Sequence, residues 1–375
     1  MKSNYDILGN HIRLIDTRNR ESITDRVLGI NIDKFFMPSV ANVIGTDLSK
    51  YKLITKGKFA CNPMHVGRDE RLPVALYDEE KPAIVSPAYF MFEVIDNSIL
   101  KEDYLMMWFR RPEFDRICWL HTDGSVRGGI TWDDICRLEL PIPPIENQLE
   151  IVNSYKAITE RIALKQKIND NLEATLGTLY KEYFSFDKGS ELPSGWQIAP
   201  FSKIATVVMG QSPEGDDCNN DGIGEPLLNG PTEFGFYSPT PAQWTTNGKK
   251  YCDNGDILFC VRGSTTGRMN WANQRYVIGR GLAAIRHISD TNLNWFIKAI
   301  IDNSLQEILS AATGSTFPNV GKDLLNNFQI VVPDTSTLEK FGEKGYAISQ
   351  LISQNAKEID HLLVLQRMLL SQLAI

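Results

Sequence analysis

Between Ile257 and Ser289 the 375-residue chain places five arginines and no acid: Arg262, Arg268, Arg275, Arg280 and Arg286. Ser264, Thr265, Thr266, Asn270, Asn273 and Gln274 interleave them. Guanidinium groups bind phosphate and the guanine edge, and carboxamides bind the adenine edge. This mixture is therefore the chemistry of nucleic-acid contact. A second acid-free stretch, Leu48 to Arg68, carries Lys50, Lys52, Lys56, Lys58, His65 and Arg68. The whole chain is acidic, with a net charge of −7, so the basic groups form local surfaces on an acidic protein. The alternative for such a stretch is a solvated strand–loop surface with no ligand.

Catalytic spacings are missing. No Gly-rich loop ends in Lys-Ser/Thr, so there is no P-loop. Gly222-Ile-Gly224 runs into Glu225-Pro226, which cannot open a nucleotide-binding helix. Asn62-Pro63 is followed by Met64-His65 and lacks the second proline and the aromatic with which an amino-methyltransferase holds a target base. Asp133-Asp134 and Asp216-Asp217 read as turn caps. The six cysteines and five histidines are scattered without a ligand spacing, which predicts reduced thiols and no metal. No run approaches about 18 apolar residues, and Met1–Asp6 is polar, so a cytoplasmic protein is expected.

The elements that would position these groups come in duplicate. Sliding the chain by 190 aligns residues 124–185 with 314–375 without a gap, giving 11 identities in 62 pairs. Composition alone would give about four. Gly124-Ser125 falls on Gly314-Ser315, and Leu138, Leu140 and Ile142 fall on Phe328, Ile330 and Val332. Each half thus reads as a variable globular part, a Gly-Ser turn, a short strand ending at proline, and a long helix. The expected divisions are 1–144 and 188–333 for the globular parts, with 145–187 and 334–375 for the helices.

Both helices carry heptad seams of equal length and phase. Ile158, Ile162, Leu172, Leu176 and Leu179 in one, and Ile348, Ile352, Ile359, Leu362 and Leu369 in the other, are the expected pairing residues. Lys165 and Asn169 interrupt the first seam, and Asn355 and Gln366 the second. Neither helix can bury its seam alone, so the two are expected to pair antiparallel. The first seam then spans about 50 Å at 1.5 Å per residue. Ser336 and Glu339 are a candidate capping box for the second helix. The globular parts read as mixed and β-rich, with strands near 52–55, 83–86, 89–93, 256–262 and 281–286 and helices near 104–110 and 293–310. The fold class expected is α+β, with two such domains joined by two coiled-coil helices.

Leu140-Pro-Ile-Pro-Pro-Ile-Glu-Asn-Gln-Leu149 runs into the first helix, and Gly314-Ser-Thr-Phe-Pro-Asn-Val320 leads to the second. With Asp256-Ile-Leu-Phe-Cys-Val-Arg-Gly-Ser264, Phe59–Arg68 and Val85–Tyr89, these stretches make the chain resemble the specificity subunit of type I restriction–modification systems. The resemblance covers nearly all of the chain. It implies two target recognition domains reading the halves of a split DNA site, and paired helices that set the unread spacer. It implies no catalysis by this chain. It implies assembly with two modification subunits that bind S-adenosylmethionine and methylate adenine, to which motor and nuclease subunits can add. DNA contacts are then expected from Lys56, Lys58, His65, Arg68, Ser125 and Arg127 in the first half. In the second they are expected from Arg262, Ser264, Thr265, Arg268, Asn273, Gln274, Arg280, Ser315 and Phe317. The first half lacks the Leu192-Pro-Ser-Gly-Trp196 opening of the second, so contacts do not transfer directly between halves.

Overall fold

The computed structural model describes residues 4–41, 43–64, 66–122, 128–184, 191–314 and 317–373, with Arg68 described by its backbone alone. The chain divides into two units. Unit one is Met1–Ile162 with His361–Ile375, and unit two is Ala163–Asp360.

Unit one holds β1 (Tyr5–Ile7), β2 (Ile12–Leu14), β3 (Val27–Ile30), β4 (Phe36–Pro38), β5 (Lys52–Ile54), β6 (Phe59–Cys61), β7 (Val74–Leu76), β8 (Ala83–Val85), β9 (Phe90–Val94) and β10 (Glu139–Pro141). Its short helices are α1 (Val66–Asp69), α2 (Glu102–Phe109), α3 (Pro112–Leu120) and α4 (Trp132–Cys136), followed by the start of the long α5 (Ile145–Phe184). Unit two holds β11 (Gln197–Pro200), β12 (Ala205–Met209), β13 (Cys218–Asn219), β14 (Glu225–Leu228), β15 (Gln243–Thr245), β16 (Tyr251–Cys252), β17 (Ile257–Cys260), β18 (Met269–Trp271), β19 (Tyr276–Ile278), β20 (Leu282–His287) and β21 (Gln329–Val332). Its helices are α6 (Asn294–Ser310), α7 (Lys322–Asn327) and most of α8 (Thr335–Gln372).

The two units share one topology, to which unit two adds the edge strand β13. A four-stranded sheet runs β2-β9-β6-β7 in unit one and β12-β20-β17-β18 in unit two. A second sheet runs β4-β3-β8-β5 in one and β13-β15-β14-β19-β16 in the other. Each second sheet contains one parallel pair, β3 with β8 and β14 with β19. A two-stranded ribbon closes each unit, β1 with β10 and β11 with β21.

Alternation along the central strands builds the layers. In β17 and the residue after it, Ile257, Phe259 and Val261 face the core that α6 covers, while Leu258 and Cys260 face the core under the second sheet. In unit one Phe59 and Cys61 of β6 face the α2–α3 side, and Ala60 faces the second sheet. Both faces of these strands are covered, so they read as unbroken apolar runs rather than alternating ones. Full burial of one such large apolar side chain contributes about 1.5–3 kcal/mol.

The helix pairing expected from the seams is present. In unit two the contacts run antiparallel, from Lys165 with Glu358 to Phe184 with Phe341. In unit one Gln366 donates to the Thr159 hydroxyl at 2.9 Å. Ile162, Ile352 and Ile359 are buried, and Ile158, Leu172, Leu176, Leu179, Ile348, Leu362 and Leu369 are half-buried. The start of α8 corrects the expected cap. Asp334, not Ser336, stands before the helix, accepting from the Thr337 backbone N–H at 3.1 Å and from its hydroxyl at 2.7 Å. Aspartate is at least as good an N-cap as serine and is placed one residue before the helix.

Candidate nucleic-acid interface

In unit two the exit of β17 builds a tight loop. The Cys260 N–H donates to the Arg268 carbonyl at 2.9 Å, and the Gly267 N–H donates back to the Cys260 carbonyl at 2.8 Å. Gly263 and Gly267 both sit at φ +93°, in the left-handed region that suits glycine. The Thr266 hydroxyl donates to the Gly263 and Pro318 carbonyls at 2.7 and 2.9 Å, tying this loop to a second one. That second loop is pinned by Thr313 and Asn319, and Phe317 stands 52% exposed on it. The Val261 N–H donates to the Gly281 carbonyl at 2.9 Å, which brings Arg280 alongside.

Arg262, Ser264, Thr265, Arg268, Arg280 and Phe317 therefore gather at one end of the four-stranded sheet, at least partly exposed. Among the described residues no carboxylate pairs with Arg262, Arg268 or Arg280. Arg268 lies over the Phe234 ring at 5.8 Å. The surface offers cationic forks, hydroxyls and one exposed aromatic ring, the groups that meet phosphates and base edges.

Asn273 and Gln274 are not part of this group. They follow β18 at the far end of the same sheet, separated by the length of β17, about 13 Å. Asn273 is occupied there, its Oδ1 accepting from the Tyr276 hydroxyl at 2.6 Å. Ser315 lies outside the described residues.

Three further residues belong to the arginine end. Gln211, Ser212 and Asn229 are exposed there, with the Ser212 hydroxyl accepting from the Arg280 N–H at 3.2 Å and Asn229 donating to Gln243 at 2.7 Å. Bare glycines let these loops meet. A Cβ on Gly210 would lie 2.2 Å from the Gly279 carbonyl oxygen, and one on Gly281 would lie 2.4 Å from the Asn229 oxygen. Gly210 before Gln211 and the Gly279–Gly281 pair around Arg280 were the available sequence signal.

The acid-free charge of the sequence is only partly acid-free in space. Arg286 bonds Asp253 at 2.6 Å and the buried Asp256 at 2.5 Å, and Arg275 covers the Tyr251 ring at 4.1 Å. Burial pushes the Asp256 carboxyl up to about 6, against the opposing pull of the Asp253 N–H and Arg286. In unit one every lysine of the expected basic stretch meets an acid. Lys50 faces Asp47 at 3.7 Å and Lys52 faces Asp16 at 3.6 Å, while Lys56 pairs with Glu80 and Lys58 with Glu93. Most of these acids come from strands and turns distant in sequence, and two of them are shared with an arginine, Asp16 with Arg18 and Glu93 with Arg13, each at 2.6 Å. His65, Ser125 and Arg127 lie outside the described residues, as does the Arg68 side chain.

The repeat shows where unit one's counterpart end lies. Lys58 faces Glu93 across β6–β9 as Asp256 faces Arg286 across β17–β20, the same register with the charges exchanged. Lys56 and Lys58 are thus at the Asp256 end of their sheet. The end equivalent to Arg262 is the 62–73 connection bearing α1. There the Gly67 N–H donates to the Gly128 carbonyl at 3.0 Å and the Ile130 N–H to the Pro63 carbonyl at 3.1 Å, as the 313–319 loop joins the β17 exit. Among the described residues there is no cluster fit to hold a metal and no helix long and apolar enough to cross a membrane.

Residues 193–357 match a family model described as the type I restriction modification DNA specificity domain. A putative type I restriction enzyme specificity subunit of Methanocaldococcus jannaschii is 27% identical over 372 residues, 95% of this chain and 84% of that protein. A second specificity subunit from the same organism is 22% identical over 288 residues, 71% of this chain and 66% of that protein. Among solved structures, the S subunit of a type I restriction–modification system from M. genitalium aligns with TM-score 0.54 at 15% identity, over 100% of this chain and 97% of that one. At that identity the likeness is one of fold.

Proposed function

We propose a role from the premise that the chain is a homologue of type I restriction–modification specificity subunits, the recognition and not the catalytic component of such systems. In this reading each unit reads one block of a split double-stranded DNA site, and the α5–α8 pair sets the unread spacer. The chain holds no cofactor itself. It positions two modification subunits, which bring S-adenosylmethionine and methylate adenine, and motor and nuclease subunits join that core for restriction in the cytoplasm.

The observation that carries the reading is the repeated sheet topology, with Arg262, Arg268 and Arg280 at one sheet end of unit two unpaired with any carboxylate among the described residues. Two copies of one topology suit two blocks of one site. Within unit two we assign DNA contact to Arg262, Ser264, Thr265, Arg268, Arg280 and Phe317, joined by Gln211, Ser212 and Asn229. Among the candidates in unit one, the 62–73 connection, which carries His65 and Arg68 in sequence, and the stretch with Ser125 and Arg127 before Gly128 are favoured over Lys56 and Lys58, because the β6–β7 connection is the counterpart of the arginine loop between β17 and β18.

The test is to co-express the chain with its modification subunit and map adenine methylation across a genome. Two short specified blocks around a fixed gap are expected. Methylation at one continuous motif would refute the two-reader arrangement. So would methylation by this chain without a partner.

A further inference from the structure

Asn229 follows β14, and Gln243 opens β15, the strand paired with β14. The Asn229 amide donates to Gln243 Oε1 at 2.7 Å. Asn229 is exposed and Gln243 is half-buried. Among the described residues, Asn229 Oδ1 and Gln243 Nε2 meet no hydrogen-bond partner. Asn229 Oδ1 lies over Gly279, where a Cβ would stand 2.6 Å from it. A Cβ on Gly281 would stand 2.4 Å from the Asn229 main-chain oxygen. Arg280 is flanked by those two glycines, so Asn229 and Arg280 are neighbours on one bare stretch of backbone.

The fold does not need this pair of carboxamides. The strand registers put Asn229 where unit one has Gly29, and Gln243 where it has Ser39. Unit one closes the same parallel pair, β3 with β8, with a glycine at that place. The amide pair is therefore an addition of unit two at its loop end.

A carboxamide offers an acceptor oxygen beside two N–H donors. One donor and the acceptor match N7 and the N6 amino group of adenine, the pattern by which the major groove marks an A·T pair. A carboxamide without neighbours turns freely and presents oxygen or nitrogen to either side. The bond to Gln243 engages one N–H of Asn229. It fixes which side is oxygen and leaves Oδ1 and the second N–H for a ligand. Ordering a mobile side chain at an interface costs affinity, and a side chain ordered beforehand avoids that cost.

We propose that Asn229 reads the adenine of one A·T pair in the block contacted by unit two, and that Gln243 is a positioning residue that sets the orientation of the Asn229 carboxamide. The proposal rests on the reading of unit two as a DNA reader.

The experiment compares adenine methylation maps of complexes containing the full chain or its variants with the modification subunits. A wild-type complex that methylates no split motif sinks the reading of the chain, and this proposal with it. Given a wild-type split motif, the variants address the proposal alone. Asn229→Ala is expected to relax one position, an A·T pair other than the methylated one, with discrimination there falling by about 5- to 150-fold. Gln243→Leu should relax that same position by about 2- to 10-fold and leave the others specified. Gln243→Glu keeps an oxygen that accepts the Asn229 amide. Discrimination at that position then returns to the wild-type level, while the added charge weakens binding alike for every sequence. A role for Gln243 in packing alone predicts the opposite: equal loss at all sites in Gln243→Leu and no rescue by glutamate. An unchanged motif in Asn229→Ala, or relaxation at a G·C pair, overturns the adenine assignment. Full discrimination in Gln243→Leu overturns the positioning role. Because Asn229 is exposed, Asn229→Ala decides the first point even where a Gln243 variant assembles poorly.

Discussion

Asp256 shows how far one residue's surroundings can depart from its sequence neighbourhood. It opens the strand that leads to the arginine loop, yet its side chain is buried and serves Arg286 and the Asp253 N–H. Burial raises its carboxyl to about 6 from an ordinary 3.8. A group whose folded value is raised stabilises fully below the unfolded value and loses that contribution as pH rises through the folded one. The window is therefore about pH 4 to 6, and the size is about 3 kcal/mol. Other carboxylates, such as Asp334 with Thr337, are held low and act in the opposite sense. Comparison with Asp256→Asn isolates the one group. The melting temperature of the wild type relative to that variant is expected to fall between about pH 4 and pH 7. A constant difference would mean that Asp256 stays charged throughout.

At the scale of elements, Gly345 explains a gap in the second seam. The six-membered ring of Trp295 fills the notch it leaves, and a Cβ there would lie 2.3–2.5 Å from three ring carbons. Gly342, three residues earlier on α8, has open space around it. Gly345→Ala is therefore expected to destabilise the chain by about 1–3 kcal/mol through overpacking. Gly342→Ala is expected to stabilise it by about 1 kcal/mol through helix propensity. Denaturant unfolding of both variants checks the pair, and equal signs would refute the packing account. The same helices show what a sequence reveals at this scale. Long seams repeat a pattern many times, so both helices and their pairing were legible, including the polar interruptions. The cap at Asp334 was misplaced because Ser336 and Glu339 mimic a capping box two residues late. The ion pairing of Lys50, Lys52, Lys56 and Lys58 was hidden for a different reason. Their acids arrive from Asp47, Asp16, Glu80 and Glu93, and for Asp16 and Glu93 only strand pairing brings them close.

At the scale of the whole chain, sequence identity exposed the repeat over residues 124–185 and 314–375, while the topology repeats through both globular parts. Helices, the turn and the closing strand accept few side chains at their contact positions, and so keep a detectable pattern. The sheets tolerate any apolar residue that fills a layer, and even an exchanged ion pair at Lys58–Glu93 and Asp256–Arg286. The repeated sheets therefore hold their fold while their loop ends diverge. Each unit closes its own sheets and cores. This gives a prediction about the assembled complex. Arg262→Ala with Arg280→Ala is expected to weaken DNA binding and to lower the slope of log affinity against log salt by about 0.9 for each phosphate no longer neutralised. Where one of these arginines reads a base, about 1–3 kcal/mol of discrimination goes with it. The methylation map of the double variant should then degenerate in one block alone, with the other block and the spacer intact. Equal degeneration of both blocks would show that the units do not read independently. An unchanged map with unchanged salt dependence would move the contact surface away from the arginine end of unit two.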